Sequence, residues 1–128
     1  MSDAEERGLI AKLVGPKKRW RAYKARVRRL PESYRTAVDA IERYLRYFVP
    51  IDNDSAVSQF EDLAELFEQA AADGTPTRQI VGDDPIEFVE MFVANYTKGG
   101  YVPDKERDRL TRALDRVAAE ESPDGRAE

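Results

Sequence analysis

The side chains best suited to chemistry in this sequence are basic, and they are concentrated in one segment. Residues 7–31 contain ten Lys and Arg side chains and no acid. In a helix over about 17–30, with about 100° of rotation per residue, four of them fall within about 60° of one another. They form one stripe of positive charge, here called the basic stripe: Lys17, Arg21, Lys24 and Arg28. Together with Lys18 on the far side of the helix, these residues are the predicted binding site for a protein partner or a nucleic acid.

The basic stripe has two interpretations. Runs of charge commonly do no more than keep one face of a helix in water. However, Lys17 with Arg21 and Lys24 with Arg28 are like-charge pairs four residues apart, and each pair costs about 0.2–0.5 kcal/mol in an isolated helix. A helix with such pairs benefits from an anionic neighbour, either a phosphate backbone or an acidic protein surface.

The acids of this chain lie in a different segment. Residues 50–95 hold eleven Asp and Glu against a single basic residue, Arg78. A helix there carries an acidic stripe made of Asp54, Glu61, Glu65 and Glu68. In an up-down-up bundle the helices that carry the two stripes run parallel, which leaves the basic stripe poorly neutralised within its own chain. It would then be available to a second subunit or another partner.

Most kinds of catalytic and metal site are excluded by composition, because the chain has no histidine and no cysteine. It therefore lacks the ligands of Cys/His zinc sites and iron–sulfur clusters, the residues of Ser-His-Asp and Cys-His triads, and the Glu-x-x-His motifs of di-iron proteins. The Asp52-x-Asp54 segment departs from a calcium-binding loop at its fifth, sixth and twelfth positions. A carboxylate site of Glu61, Glu65 and Glu87 is conceivable, but solvated acids explain these residues better. We predict no catalytic, cofactor-binding or metal-binding residues and no enzyme activity.

The spacing of apolar residues predicts helices throughout. Their breaks are expected at the proline and glycine positions: Gly15-Pro16, Pro31, Pro50, Gly74, Gly82 and Gly99-Gly100. The helices expected between them cover about 17–30, about 32–49, from Ser55 to about Ala72, from Asp84 to Gly99, and about 104–120. A short helix opens at a Ser2-x-x-Glu5 capping box and ends before Gly15.

The apolar seams of these helices predict one contiguous core. Its expected members are Trp20, Tyr23, Val27, Ile41, Leu45, Phe60, Leu63, Phe67, Val89 and Phe92. Tyr44 and Tyr47 fall outside the narrow seam and are expected to border a pocket or a subunit interface. No alternation typical of a strand is long enough to matter. The fold class is therefore all-α: a single-domain bundle of five or six helices over 1–121, with a flexible tail at 122–128.

The location is predicted from hydropathy and from the first residues. No apolar run approaches the ~18 residues that cross a bilayer. The polar, acidic start from Met1 to Arg7 is unlike the positive segment that opens a secretory signal. We expect a cytoplasmic protein that does not enter membranes.

The sequence resembles domain-of-unknown-function family 1048, a family of small bacterial helical proteins. The likeness runs from about Ile10 to about Leu114. It is carried by LVGPKKRWRAYKARV at 13–27, by Leu30-Pro31-x-x-Tyr34, by Leu63-x-x-Leu66-Phe67-Glu68-x-Ala70-Ala71-x-x-Gly74, and by the segment from Val81 to Pro85 that leads to Phe88.

The resemblance implies a compact helical bundle with a link to transcription, since many members are encoded near PadR-type regulators or fused to them. Some members are labelled DNA-binding and ferritin-like, but this sequence contains nothing that matches a ferroxidase motif. The family supplies no catalytic residues to carry over to this chain.

The expected function is that of a non-enzymatic regulatory or protein-interaction module, dimeric and binding a protein partner. The alternative is a nucleic-acid-binding protein that places residues 17–29 on a phosphate backbone. A carboxylate-metal enzyme ranks last. Protein ranks above nucleic acid because the net charge is −4. In addition, specific base readers usually present Asn, Gln or Arg at the start of an exposed recognition helix, whereas this face is Lys and Arg throughout and suits phosphate backbones.

Overall fold

The computed structural model describes the backbone of residues 3–121 and the side chains of residues 15–121. Its elements in chain order are α1 (Asp3–Arg28), α2 (Glu32–Leu45), β1 (Phe48–Pro50), α3 (Asn53–Asp73), α4 (Thr77–Val81), α5 (Pro85–Val93), β2 (Thr97–Gly100) and α6 (Asp104–Glu121). Six helices and one two-stranded sheet over this range confirm the prediction of a mostly helical bundle. The expected capping residue Ser2 and the tail at 122–128 lie outside the described range.

The predicted break at Gly15-Pro16 is confirmed as a kink inside α1. Gly15 has φ 78° and ψ 160°, which is not a helical conformation and has a positive φ that favours glycine. Pro16 disfavours the helical conformation in the residue before it, so the two residues together interrupt the helix. The part of α1 that follows the kink, residues 16–28, is called the second arm of α1.

The ends of α3 and α5 follow local rules that the sequence displays. Asp52 caps α3 by accepting a 2.7 Å hydrogen bond from the backbone N–H of Ser55. Gly74 ends the same helix in the left-handed conformation. Asp84 caps α5 by accepting a 3.1 Å hydrogen bond from the N–H of Glu87, with Pro85 in the first turn.

Two predicted helix ends were wrong, because the chain forms strands there. The helix expected to reach Val49 ends at Leu45, and the helix expected to reach Gly99 ends at Val93. The segments that follow pair antiparallel as β1 and β2, with Phe48 opposite Gly100. This pairing needs glycine at 100, because a Cβ there would lie 2.8 Å from the Cα of Phe48. Hydrogen bonds between distant segments thus replace the last turns of both helices.

The core draws on all six helices. Seven of the ten predicted core residues are fully buried: Tyr23, Val27, Ile41, Leu45, Leu63, Phe67 and Val89. The other three, Trp20, Phe60 and Phe92, are partly buried and pack against this core. The rings of Trp20 and Phe60 meet edge to face with centroids 5.1 Å apart.

The exposed side of α2 lies between the second arm of α1 and α6. Glu42 on one edge of α2 binds Lys24 of α1, and Arg43 on the other edge binds Glu106 of α6. The pairs Arg19–Glu61 and Arg26–Glu68 follow the same order along α1 and α3, so these two helices run parallel. Within the described range, no helix has the length and apolar character required to traverse a bilayer.

Candidate functional site

Three members of the basic stripe project into solvent. Lys17, Arg21 and Arg28 are exposed, as is Lys18 on the far side of the helix. Among the side chains of residues 15–121, no carboxylate lies within ion-pairing distance of any of the four. The structure therefore presents uncompensated positive charge along one edge of α1.

Lys24, the fourth member of the stripe, is partly exposed and is bound within the chain. Its Nζ lies 3.1 and 3.2 Å from the two carboxylate oxygens of Glu42, which is buried. Glu42 also accepts a 2.9 Å hydrogen bond from the hydroxyl of fully buried Tyr23. The ammonium group lies 5.7 Å from the centre of the Trp20 ring, within the range of a cation–π contact. Lys24 thus joins α1 to α2, because it compensates a carboxylate that water hardly reaches.

This environment shifts the pKa of the Tyr23 phenol. Its burial raises the pKa of the phenol well above the ordinary value of 10.0, and the neighbouring Glu42 carboxylate raises the pKa further. Both effects favour the neutral hydroxyl, which is the form that donates the hydrogen bond to Glu42.

Two arginines that flank the apolar seam of α1 bind three of the four acids of the acidic stripe on α3. Arg19 binds Glu61 at 2.6 Å and Asp54 at 2.7 Å, and these hydrogen bonds raise the pKa of its guanidinium. Arg26 binds Glu68 at 2.6 Å and thereby lowers the pKa of that carboxyl. Three of the four acids of this stripe, Asp54, Glu61 and Glu68, are therefore bound without using the basic stripe. No described carboxylate pairs with Lys17, Arg21 or Arg28, whereas Lys24 is bound by Glu42.

An apolar groove runs beside the exposed part of the basic stripe, and it is called the Trp20 groove. It has a volume of about 760 Å³ and lies between the second arm of α1 and the start of α3. Its lining residues are Pro16, Lys17, Trp20, Arg21, Ala56, Val57 and Phe60. Lys17 and Arg21 therefore belong both to the stripe and to the groove. One edge of the molecule combines cations with partly exposed aromatic surface.

Sequence reasoning missed a second basic surface, on α6. Residues 96–128 contain seven basic and eight acidic residues, so their near-zero charge conceals it. The signal was the spacing of Lys105, Arg109, Arg112 and Arg116, which places all four within about 60° of one another on a helix. These four residues line a groove between α6 and α2, and Arg43 of α2 lines it from the other side. This groove has a volume of about 480 Å³.

The two tyrosines expected at the border of a pocket have different environments. Tyr44 is buried, although part of it lines the groove between α2 and α6. Its hydroxyl donates a 3.1 Å hydrogen bond to Glu90, and burial, followed by this bond, raises the pKa of Tyr44 to about 12. Tyr47 is half-buried in the turn that leads to β1. Tyr44 therefore borders a groove, as expected, and it also belongs to the core.

The carboxylates considered for a metal do not form a site in the part of the chain that the structure describes. There, no three His, Cys, Asp or Glu side chains converge as metal ligands would. Glu61 is already bound by Arg19. No described residue is therefore assigned as a ligand for a metal or cofactor.

The model of a family described as "Protein of unknown function (DUF1048)" matches residues 11–115, a stretch that includes the whole basic stripe. No curated protein and no solved structure matches the chain.

Proposed function

This chain belongs to the DUF1048 family, whose description is that of proteins of unknown function, and we propose that it is a non-enzymatic interaction module. It docks an acidic, amphipathic helical segment of a protein partner on the basic stripe and in the Trp20 groove. A role in transcriptional regulation, which the resemblance to proteins encoded near PadR-type regulators suggests, would be exercised through this contact.

The observation that carries the proposal is the presence of two chemistries along one edge. Lys17 and Arg21 supply positive charge. Beside them, Trp20 of α1 and Phe60 of α3 supply apolar surface. An amphipathic helix places apolar side chains in a groove and charged side chains along its rim. A phosphate backbone can use only the cations, so the apolar half of this surface favours a protein segment over nucleic acid.

The ion pairs of the described side chains favour a partner as the source of the acidic groups. Arg19 and Arg26 bind Asp54, Glu61 and Glu68 of α3, so these three acids are not available to neutralise the exposed cations. Lys17 and Arg21 also repel each other, because they lie four residues apart on one helix face. Acids of a partner would relieve that repulsion.

Trp20 provides a direct assay, because it is the only tryptophan in the sequence and lines the groove. The probe is a synthetic helical peptide with leucines along one face and glutamates on both flanks. Binding in the groove removes water from the indole, so we expect a saturable blue shift of the Trp20 emission. A peptide of the same composition in scrambled order is the control ligand, and it should produce a much smaller shift.

The variant that tests the site is the double substitution Lys17→Glu with Arg21→Glu. Both side chains are exposed and lack ion-pair partners among the described residues, so the fold should survive, which circular dichroism and thermal unfolding would verify. The saturable shift should be lost. The matched control, Arg112→Glu with Arg116→Glu, changes the net charge equally on α6 and should retain it. Equal loss in both variants, or no shift with any peptide, would refute the proposal.

Two other occupants of the surface would give different results. Random duplex DNA would bind with an affinity whose logarithm falls with log salt by about 0.9 per phosphate contacted. Such binding, lost in the Lys17→Glu/Arg21→Glu variant, would favour the nucleic-acid alternative. A homodimer built on this surface would dissociate in the same variant, which sedimentation would detect.

A further inference from the structure

The groove between α2 and α6 concentrates positive charge more strongly than the basic stripe does. We call it the α6 groove, and its lining residues are Ala40, Arg43, Tyr44, Lys105, Glu106, Arg109, Leu110, Arg112, Ala113 and Arg116. Five of these ten are Lys or Arg, and they come from both helices. The volume of about 480 Å³ lies within the range of about 300–1,000 Å³ that is usual for small-molecule sites.

The only acid in this lining, Glu106, positions two of the five cations. Its carboxylate oxygens accept hydrogen bonds of 3.0 and 3.3 Å from Nε and Nη2 of Arg43, and Nε of Arg109 lies 3.7 Å away. Glu106 is itself buried, and its hydrogen bonds with Arg43 lower the pKa of its carboxyl. It therefore stays ionised at neutral pH and holds both guanidinium groups at the groove.

The other three cations are available to a ligand. Among residues 15–121, no carboxylate lies within ion-pairing distance of Lys105, Arg112 or Arg116. The only hydrogen bond from the Arg112 side chain over this range is a 3.4 Å contact to the carbonyl of Asp108 in its own helix. One carboxylate thus faces five cations, an excess that an anionic ligand would compensate.

We propose that the α6 groove binds a short chain of linked phosphates, as found in inorganic polyphosphate and in the phosphate tail of a nucleotide. Four of the five cations are arginines, whose planar guanidinium donates paired hydrogen bonds to phosphate oxygens. The cations of α6 extend over about three helical turns, so several phosphates in a row can be contacted together.

A small polyanion fits this groove better than duplex DNA does. Packed helices are separated by about 8–10 Å between their axes, so a groove between two neighbours is too narrow for a duplex to enter. The overall charge also argues against general attraction, because the chain carries a net −4. Positive potential at the α6 groove is a local property of these side chains. The site lies on the α6 edge of α2 and is independent of the proposed docking surface on α1.

The experiment is a calorimetric titration of the full chain with sodium tripolyphosphate at fixed salt. We expect saturable binding of one tripolyphosphate per chain. The double variant Arg112→Gln with Arg116→Gln removes two exposed cations and should weaken binding by about tenfold or more, because charge-assisted hydrogen bonds are lost. The matched control, Arg21→Gln with Arg28→Gln, removes the same charge from the basic stripe and should change the affinity by less than about twofold.

Parallel titrations distinguish the two sources of linked phosphate. ATP that binds much more tightly than tripolyphosphate, with adenosine alone not binding, would identify a nucleotide site. Equal affinities would identify a polyphosphate site.

Three results would overturn the proposal. They are the absence of saturable binding, equal weakening in the two double variants, and tighter binding of duplex DNA that depends on Arg112 and Arg116. Without saturable binding, the groove holds no phosphate ligand. Equal weakening in both double variants would indicate nonspecific attraction between tripolyphosphate and the cations of the whole surface. Tighter binding of duplex DNA would assign the α6 groove to nucleic acid. None of them affects the test of the Trp20 groove, which uses a different ligand and different variants.

Discussion

Replacing Tyr23 with phenylalanine tests the buried link between α1 and α2. The Tyr23 side chain is fully buried, and its hydroxyl donates a 2.9 Å hydrogen bond to the Glu42 carboxylate. Phenylalanine retains the ring and its contacts with Trp20 and Phe60, whose centroids lie 5.1 and 5.5 Å away. The substitution therefore removes one hydrogen bond and leaves the packing in place.

The expected loss of unfolding free energy follows from the charge of the acceptor. A hydrogen bond to an ionised group contributes about 1.5–3 kcal/mol, roughly twice the value for a neutral pair. Glu42 is buried and retains only Lys24 as a partner in the variant, so one of its oxygens loses a donor that water cannot fully replace. We expect Tyr23→Phe to lower the unfolding free energy by about 1.5–3 kcal/mol at neutral pH.

The same substitution should have a distinct pH dependence. The pKa of Tyr23 in the folded protein lies above its ordinary value of 10.0, chiefly because the phenol is buried. Above pH 10 the unfolded chain releases this proton while the folded protein retains it, so the stability that Tyr23 contributes falls as pH rises. The variant lacks this group. The difference in stability between wild type and Tyr23→Phe should therefore be constant below pH 9 and should shrink above pH 10.

Urea unfolding of both proteins from neutral to alkaline pH, followed by circular dichroism, measures this difference. Tyr101→Phe is the matched control, because Tyr101 is 84% exposed; its effect should stay within about 0.5 kcal/mol. A loss in Tyr23→Phe as small as that of the control would refute the role assigned to the hydroxyl. So would a stability difference that stays constant through pH 11, because the folded phenol would then titrate as it does in the unfolded chain.

Two further substitutions test the core and the sheet. Phe67→Ala should cost about 3–5 kcal/mol in urea unfolding, because Phe67 is fully buried and its ring packs edge to face on Tyr34; a loss below about 1.5 kcal/mol would contradict its place in the core, and Phe67→Leu should cost much less. Gly100→Ala should disrupt the β1–β2 pair, because the added Cβ would overlap the carbonyl oxygen of Tyr47 and the Cα of Phe48. Faster exchange of the Ile51 amide, which donates to the carbonyl of Tyr96, would report that disruption, whereas unchanged exchange would show that the pair adapts.

The sequence was most informative where one short segment determines its own conformation. Gly15-Pro16 breaks α1 and Gly74 ends α3, both as predicted, and Asp52 and Asp84 cap their helices through local hydrogen bonds. Each of these effects depends on the backbone preferences of neighbouring residues or on a hydrogen bond that spans three residues. The helical spacing of apolar residues likewise identified most of the core, because that spacing defines which side of a helix faces inward.

The candidate site likewise has features that the sequence alone predicts and features that depend on tertiary packing. The exposure of Lys17, Arg21 and Arg28 follows from their position outside the apolar seam, so the sequence alone could predict it. Lys24 occupies the same stripe, but it is bound to Glu42 because α2 packs against that edge of α1. Helical position specifies the direction of a side chain and leaves open which neighbouring helix it meets.

The tertiary structure decided the features that require two distant segments to meet. β1 and β2 form because residues 48–50 and 97–100 lie side by side, so their backbone groups pair with each other in place of further helical turns. The α6 groove gathers Arg43 and the cations of α6 because α2 and α6 pack antiparallel, with Arg43 beside Glu106 and Ser33 beside Glu121. Local stereochemistry and hydrophobic spacing depend on residues that are close together in the chain, so both can be predicted from a single sequence. The partner of a charged side chain depends on which helix faces pack together, and that is determined by the whole core at once.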